Sequence, residues 1–307
     1  MLRYASLRLA LALPTLLGVL VVVVALLHAV PGDPVDVILG ERASRADRDA
    51  LRAELGLDRP AWRQLTDFVA GTLRGDLGRS LTTSRPVSEL VLERYPATFE
   101  LAGAALAIAL AIGVPLGVAA AARPGSRVDR LGVLLAALHT ALPSFCLGPL
   151  LQLAFAVELP LFPVSGRRGL ASLVLPATTL GLGMSAVLAR QLRSSLLDAL
   201  ALDCVRTARA KGLAPARVFL HHALPNAATA TVTVLGLQLG GLLAGAIVTE
   251  TVFSWPGLGR LLVQAIGARD YPLVQGCVLA VAATYVAVNL LTDLVQAAID
   301  PRLREHV

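Results

Sequence analysis

Six long apolar runs divide this chain, at residues 9–30, 99–121, 131–156, 172–192, 227–248 and 273–297. Each is about as long as the roughly 20 residues an α-helix needs to cross a bilayer. A helix satisfies its own backbone amides, which lipid cannot do. The expectation is therefore an all-α integral membrane protein with six transmembrane helices. Pro143, Pro149 and Pro176 interrupt the third and fourth runs, and spans tolerate proline where neighbours satisfy the freed carbonyls. Composition agrees: 56% of the 307 residues are hydrophobic and 16% are charged, against about 45–50% apolar in soluble domains. The first run is too long for the apolar segment of a signal peptide, and no small-x-small cleavage site follows it, so it reads as a retained span.

The charges orient the bundle. With the N-terminus inside, thirteen basic residues fall in short cytoplasmic segments, and four (Arg167, Arg168, Arg260 and Arg269) fall in short external loops. The other ten lie in the long segment 31–98, which such counts exclude because long loops translocate regardless of charge. The expected topology is N-in/C-in. The net charge of +6 is then a topology signal rather than a nucleic-acid footprint, because it lies between apolar spans instead of on a soluble face.

The external segment carries its own order. Ser44 with Asp47 forms a helix N-cap pair, residues 62–73 form a short amphipathic stretch, and Gly75-Asp76-Leu77-Gly78 and Arg85-Pro86 read as turns. The expected division is residues 1–98 as first span plus external subdomain, 99–300 as a five-helix core, and 301–307 as a cytoplasmic tail. Cys146, Cys204 and Cys277 show no metal or disulfide spacing and read as small buried hydrophobes.

One polar island interrupts the apolar pattern. Asp203-Cys204-Val205-Arg206-Thr207-Ala208-Arg209-Ala210-Lys211-Gly212-Leu213 lies between the fourth and fifth spans and holds Lys211, the chain's single lysine. Residues 194–210 can be helical. Gly212 can end that helix in a left-handed conformation, and Pro215 suits the first turn of a second. Pro225 then resets the chain. The result is a short cytoplasmic helix–turn–helix, either a contact surface or a charged loop that only enforces topology.

The island resembles the loop Glu-Ala-Ala-x3-Gly-x9-Ile-x-Leu-Pro of ABC importer permeases. Ala208, Gly212, Leu224 and Pro225 match, His222 stands at the Ile position, and Arg206 and Thr207 replace Glu and the first Ala. Arg206-Thr207-Ala208-Arg209-Ala210-Lys211-Gly212-Leu213 is what the peptide/nickel branch of that family looks like, with Cys204 where that branch usually has Tyr. Nearly the whole chain is similar to the B-type subunit of dipeptide/oligopeptide permeases. The matching segments are Met1–Tyr4, Pro31-Gly32-Asp33-Pro34, Gly56-Leu57-Asp58, Gly75-Asp76-Leu77-Gly78 with Ser80, Glu250–Gly259, and Asp300-Pro301-Arg302.

The resemblance implies a type I ABC importer permease in the bacterial cytoplasmic (inner) membrane. It implies a C-type paralogous permease subunit as heterodimer partner, two cytoplasmic ABC ATPase subunits, and an extracytoplasmic solute-binding protein. Loop 194–225 would couple to an ATPase through Arg206, Thr207, Ala208, Arg209, Lys211, Gly212, Leu213, His222, Leu224 and Pro225. Di- or oligopeptides lead as cargo, with nickel chelates and glutathione as alternatives. No phosphate-binding Gly-rich Lys-Ser/Thr loop occurs in the sequence, so ATP and Mg would sit on the partners and this chain would carry no cofactor and no catalysis. Membrane lipids are expected partners; nucleic acid is not.

Polar residues in spans are costly and often functional. His28, His139, Gln152, Gln238, Glu250, Asn289 and Asp293 are of this kind. Gln238, Glu250, Phe253, Trp255 and Asn289 are candidates for the pathway or a gate. Each has a plainer role: inter-helix hydrogen bonding for the amides, water contact at a span boundary for Glu250 and Asp293, and interfacial anchoring for Phe253 and Trp255. An ATP-independent secondary transporter would place more ionisable groups at mid-span. An intramembrane enzyme would need more than the loose pair His139 and Ser144.

Overall fold

The computed structural model describes residues 13–25, 34–39, 44–54, 56–141 and 144–299. His28, Pro31–Asp33, Pro143 and the expected tail 301–307 lie outside the described residues, as do the side chains of His139 and Ser144. Among the described residues the secondary structure is helical, with one isolated bridge between Arg79 and Pro86.

The helices are α1 (Leu13–Ala25), α2 (Pro34–Leu39), α3 (Arg45–Glu54), α4 (Ala61–Leu73), α5 (Val87–Ala122), α6 (Arg127–Ala141), α7 (Ser144–Gln152), α8 (Leu170–Leu200), α9 (Asp203–Ala210), α10 (Pro215–Val218), α11 (Leu224–Val252), α12 (Leu258–Gly267) and α13 (Tyr271–Ile299). Single π-helical turns follow α7 (Leu153–Glu158) and α10 (Phe219–Ala223). Within the described residues, every expected span falls on helix. Among the described residues, three helices are long and apolar enough to cross a membrane unaided: Val87–Ala122, Leu170–Leu200 and Tyr271–Ala298. A fourth passes as a pair bent by 46° between Leu242 and Ala246, beside Gly240 and Gly241, where a helix bends at low steric cost. The third expected span falls on α6 and α7. At 36 residues, α5 is about 54 Å long, well beyond the roughly 30 Å of hydrocarbon.

The chain forms two units. The first holds Phe99–Trp255 and the chain from Ala287 onward. Its centre is α8, which packs on α6, α7 and α11. Small residues let the helices close. A Cβ on Gly113 would stand 2.9 Å from the Ser185 carbonyl oxygen, and one on Gly117 would stand 2.8 Å from that of Ala189. This Gly-x-x-x-Gly face of α5 against a Ser-x-x-x-Ala face of α8 brings the two backbones into contact. That is how spans associate where lipid removes the hydrophobic drive between them.

The second unit holds Leu7–Thr98 and Pro256–Val286. Ser44 caps α3 as expected: its Oγ accepts from the Asp47 amide at 3.2 Å and donates to Asp47 Oδ2 at 2.6 Å. The Gly75–Ser80 turn is fastened to Asp270, which is fully buried. Asp270 Oδ2 accepts from Ser80 Oγ at 2.6 Å and from the Thr82 amide at 3.2 Å. Its Oδ1 accepts from the Leu273 amide at 3.2 Å, so the same carboxylate caps the N-terminus of α13. Tyr95 donates to the Ala280 carbonyl at 3.1 Å, and the Leu258 amide donates to Thr98 Oγ1 at 2.8 Å.

Candidate functional site

The polar island folds as a separate helix rather than as one helix over 194–210. α8 stops at Leu200, and Leu202 is extended at φ −64° and ψ 148°. That one residue re-aims the chain, so that α9 lays Val205 and Ala208 onto the core. Both are buried, in a cluster with Leu192, Leu196, Ala121 and Ala227. The spacing of three places them on one helix face. Arg206, Thr207, Arg209 and Lys211 remain solvent-exposed. Among the described residues Arg206 pairs with its neighbour Asp203, at 3.3 Å and with both side chains largely exposed, a weak pair. Cys204, expected buried, is exposed, because it falls on the outward face beside Arg206.

Gly212 sits at φ +74°. Its amide donates to Arg209 O at 2.9 Å and the Leu213 amide donates to Ala208 O at 3.3 Å, the two bonds of a Schellman cap. Leu213 packs back on the cluster that holds Ala208, the apolar contact that accompanies such a cap. Pro215 opens α10 at its first turn. His222 and Leu224 are half-buried and Pro225 is exposed; the His222 carbonyl accepts from Asn226 Nδ2 at 2.6 Å. The helix–turn–helix thus has an apolar underside of Val205, Ala208, Val218 and Ala223 and a basic outer face of Arg206, Arg209 and Lys211. Beside it lies an open groove of about 640 Å³, lined by Val118, Ala121, Leu200, Arg209, Pro215 and Phe219 among others.

A partly buried ion pair braces the same end of the first unit. Arg193 on α8 donates through Nε and Nη2 to the two carboxylate oxygens of Asp129, the latter at 2.9 Å. The Gly125 amide adds a bond at 2.8 Å. The Arg193 guanidinium, then the Gly125 amide, hold the Asp129 carboxyl below its usual range despite desolvation. Arg193 is visible in the sequence as a topology charge; its pairing with Asp129 is not.

The pathway candidates lie apart from the island. Gln238 Nε2 on α11 donates to the Met184 carbonyl on α8 at 3.2 Å, and Asn289 is half-buried on α13. Gln152 donates to the carbonyls of Val164 at 2.9 Å and Val252 at 3.4 Å. Three expectations are corrected here. Glu250 does not reach water: it is fully buried. Phe253 and Trp255 are not exposed interfacial anchors, being 2% and 0% exposed. The reason is the cap at the end of α11. The Trp255 amide donates to Glu250 O at 2.8 Å and the Ser254 amide to Thr251 O at 3.2 Å, with Ser254 at φ +51°. This Schellman turn folds the aromatics inward, and Phe253 packs with Ala156 and Leu175.

Comparison with known proteins agrees with these features. Residues 113–305 match the model of the binding-protein-dependent transport system inner membrane component, and residues 1–102 match that family's N-terminal model. The chain is 44% identical to the dipeptide transport system permease protein DppB of Escherichia coli (strain K12), over 99% of each chain. It is 42% identical to the glutathione transport system permease protein GsiC of Pectobacterium atrosepticum, again over 99% of each. In structure it resembles a chain of the MetNI methionine ABC transporter, solved in inward-facing conformations. The TM-score is 0.59 at 20% identity, over 71% of this chain and 100% of that one, a likeness of fold. This chain belongs to the family of binding-protein-dependent transport system inner membrane components, in its dipeptide/oligopeptide permease branch. It is a multi-pass inner-membrane permease subunit of an ABC importer.

Proposed function

We propose that this chain forms half of the translocation pathway of an importer for di- or oligopeptides, and that α9 with its Schellman cap is the contact through which a cytoplasmic ATPase drives it. The observation that carries this reading is the division of α9 into a buried face, Val205 and Ala208, and an exposed basic face, Arg206, Arg209 and Lys211. A helix anchored on one side and bare on the other transmits a push to α8 and to the π-helical turn Phe219–Ala223 that leads into α11, on which it rests. The neighbouring groove offers apolar room for an ATPase side chain. Two ATPases supply ATP, Mg and hydrolysis; a C-type permease supplies the other half of the pathway; a solute-binding protein delivers cargo outside.

The reading takes six spans with both termini in the cytosol. The external subdomain lies within residues 1–98, the core is 99–300 with coupling loop 194–225, and the tail is 301–307. Gln238, Glu250, Phe253, Trp255 and Asn289 stand as candidates for pathway or gate. The 42% relative named for glutathione favours that tripeptide as second cargo; nickel chelates follow.

Co-expression of the chain with its paired permease and ATPases, and reconstitution in proteoliposomes, tests this. ATP-dependent uptake of a labelled dipeptide, stimulated by the solute-binding protein, is expected. Uptake that proceeds without ATP, by this chain alone, would return it to the secondary transporters.

A further inference from the structure

The connection from α5 to α6 carries a basic patch that none of the features above uses. Arg123, Arg127 and Arg130 are exposed, and no ion pair joins any of them to a described residue. The one acid among them, Asp129, does not neutralise them. It is 5% exposed and is engaged by Arg193, with Oδ2 2.9 Å from Nη2, and by the Gly125 amide at 2.8 Å. Helical spacing of three and four puts Arg127, Arg130, Leu131 and Leu134 on one face of α6. That face looks away from the core, because Asp129 and Ala136, seven residues apart, are buried on the opposite side. Leu131 and Leu134 are 49% and 54% exposed. Two unneutralised guanidiniums therefore stand one turn before bare apolar side chains.

We propose that this face of α6 seats one anionic phospholipid of the inner leaflet. The proposal rests on the topology read above, in which residues 123–130 are cytoplasmic. The third apolar run begins at residue 131, so Arg127 and Arg130 stand at the level where hydrocarbon gives way to headgroups. A phosphodiester keeps two unesterified oxygens, and a guanidinium fork can donate to both. Leu131 and Leu134 then lie where the acyl chains begin. A soluble phosphate, or an ATPase surface held in water, would leave them bare. Net charge completes the choice. A zwitterionic lipid brings a cation of its own beside Arg123, whereas an anionic lipid brings none, and attraction to an anionic leaflet grows with each Arg near it. Occupancy bears on α8 as well, because the same residues include the Gly125 amide and Asp129 that fix Arg193.

The test uses the complete transporter in neutral detergent, stripped of lipid and titrated with phosphatidylglycerol, with bound lipid counted by native mass spectrometry. Arg127→Gln with Arg130→Gln is expected to lose a tightly held phosphatidylglycerol, whose affinity falls by at least about tenfold. Leu131→Asn with Leu134→Asn keeps the charges, removes the apolar seat, and should weaken binding too. Wild type is expected to hold phosphatidylcholine more weakly, and inorganic phosphate is expected not to displace the lipid. Co-purification of all subunits verifies assembly of each variant. If the double Gln variant does not assemble, Arg130→Gln is measured alone, with a loss of about fivefold expected.

Unchanged phosphatidylglycerol affinity in the assembled double Gln variant, or in the single variant that replaces it, overturns the proposal. So does equal retention of phosphatidylcholine and phosphatidylglycerol by wild type, which leaves an ordinary lipid-facing surface. Displacement by inorganic phosphate assigns the patch to a free anion, and unchanged lipid affinity with loss of the ATPases on purification assigns it to the ATPase contact; either result overturns the proposal as well. The topology beneath it is tested separately. If Arg127→Cys in intact cells is modified by a membrane-impermeant maleimide added outside, where wild type is not, the patch is external and the topology falls together with the proposal.

Discussion

Ser80 and Asp270, 190 positions apart in the sequence, meet in a buried hydrogen bond of 2.6 Å. The contact gives this turn, rich in glycine and polar residues, a structural role in the second unit. Asp76 closes the turn by accepting from the Gly78 amide at 2.8 Å, and Ser80 at its end delivers a hydroxyl to the carboxylate that caps α13.

Asp270→Ala should therefore be costly. It leaves the Ser80 hydroxyl and the amides of Thr82 and Leu273 without their acceptor in a site closed to water. Bonds to a charged group contribute about 1.5–3 kcal/mol each, so a loss of at least about 2 kcal/mol is expected. Thermal melting of the detergent-purified complex checks it. Asp270→Asn keeps one carbonyl oxygen and should fall between; equal melting of all three proteins would contradict the role given to this carboxylate.

The Asp129–Arg193 pair gives a pH signature. Because the folded state holds the Asp129 carboxyl below its usual range, the pair's stabilisation is complete above the unfolded value of about 3.9. It is lost as pH falls through the depressed folded value. Asp129→Asn should melt lower than wild type at pH 7, and the gap should narrow below about pH 4. A gap that instead widens in acid would reverse the sign of this linkage.

Gly212→Val tests the cap of α9. No atom lies within 4 Å of where a Cβ would stand, so the substitution meets no clash and acts through backbone conformation alone. A β-branched residue resists φ near +74° by about 1–2 kcal/mol. Normal insertion and subunit assembly are expected, with ATP-driven uptake lost, while Gly212→Asn retains much of it because Asn tolerates this conformation. Wild-type uptake by the Val variant, measured in proteoliposomes, would detach the cap from coupling.

Gly117→Leu tests the contact of α5 with α8. A Cβ there would lie 2.8 Å from the Ala189 carbonyl oxygen and 3.1 Å from Leu192 Cβ, with backbone as the nearest obstacle. The helices must separate, so the variant should express but melt several degrees lower or fail to assemble. Gly103→Leu on the same helix, where nothing lies within 4 Å, is the control expected to behave as wild type.

Much of the fold was legible before any coordinates. Hydrophobic runs mark spans because lipid imposes one length and one polarity, and Ser44 and Gly212 mark helix ends because capping chemistry is local. The caps at Ser254 and Arg269, at φ +51° and +54°, were not legible. Their left-handed turns occur without glycine, held by the bonds that follow: the Trp255 amide to Glu250 O, and the Asp270 amide to Ala265 O at 2.9 Å. The first of these turns Trp255 inward, against the expectation from an aromatic at a span boundary. The break at Leu202 was hidden for the same reason, since neither residue type nor periodicity marks it.

By itself, then, the sequence determined that this chain lives in a membrane as helices and where the basic island lies. Those properties depend on composition over a window and on chemistry within a few residues. Only the tertiary structure decided that Val205 and Ala208 anchor the island, and that Asp129 and Asp270 have partners 64 and 190 positions away. Such pairings depend on how helices pack, and packing is a property of facing surfaces that no single stretch of sequence contains.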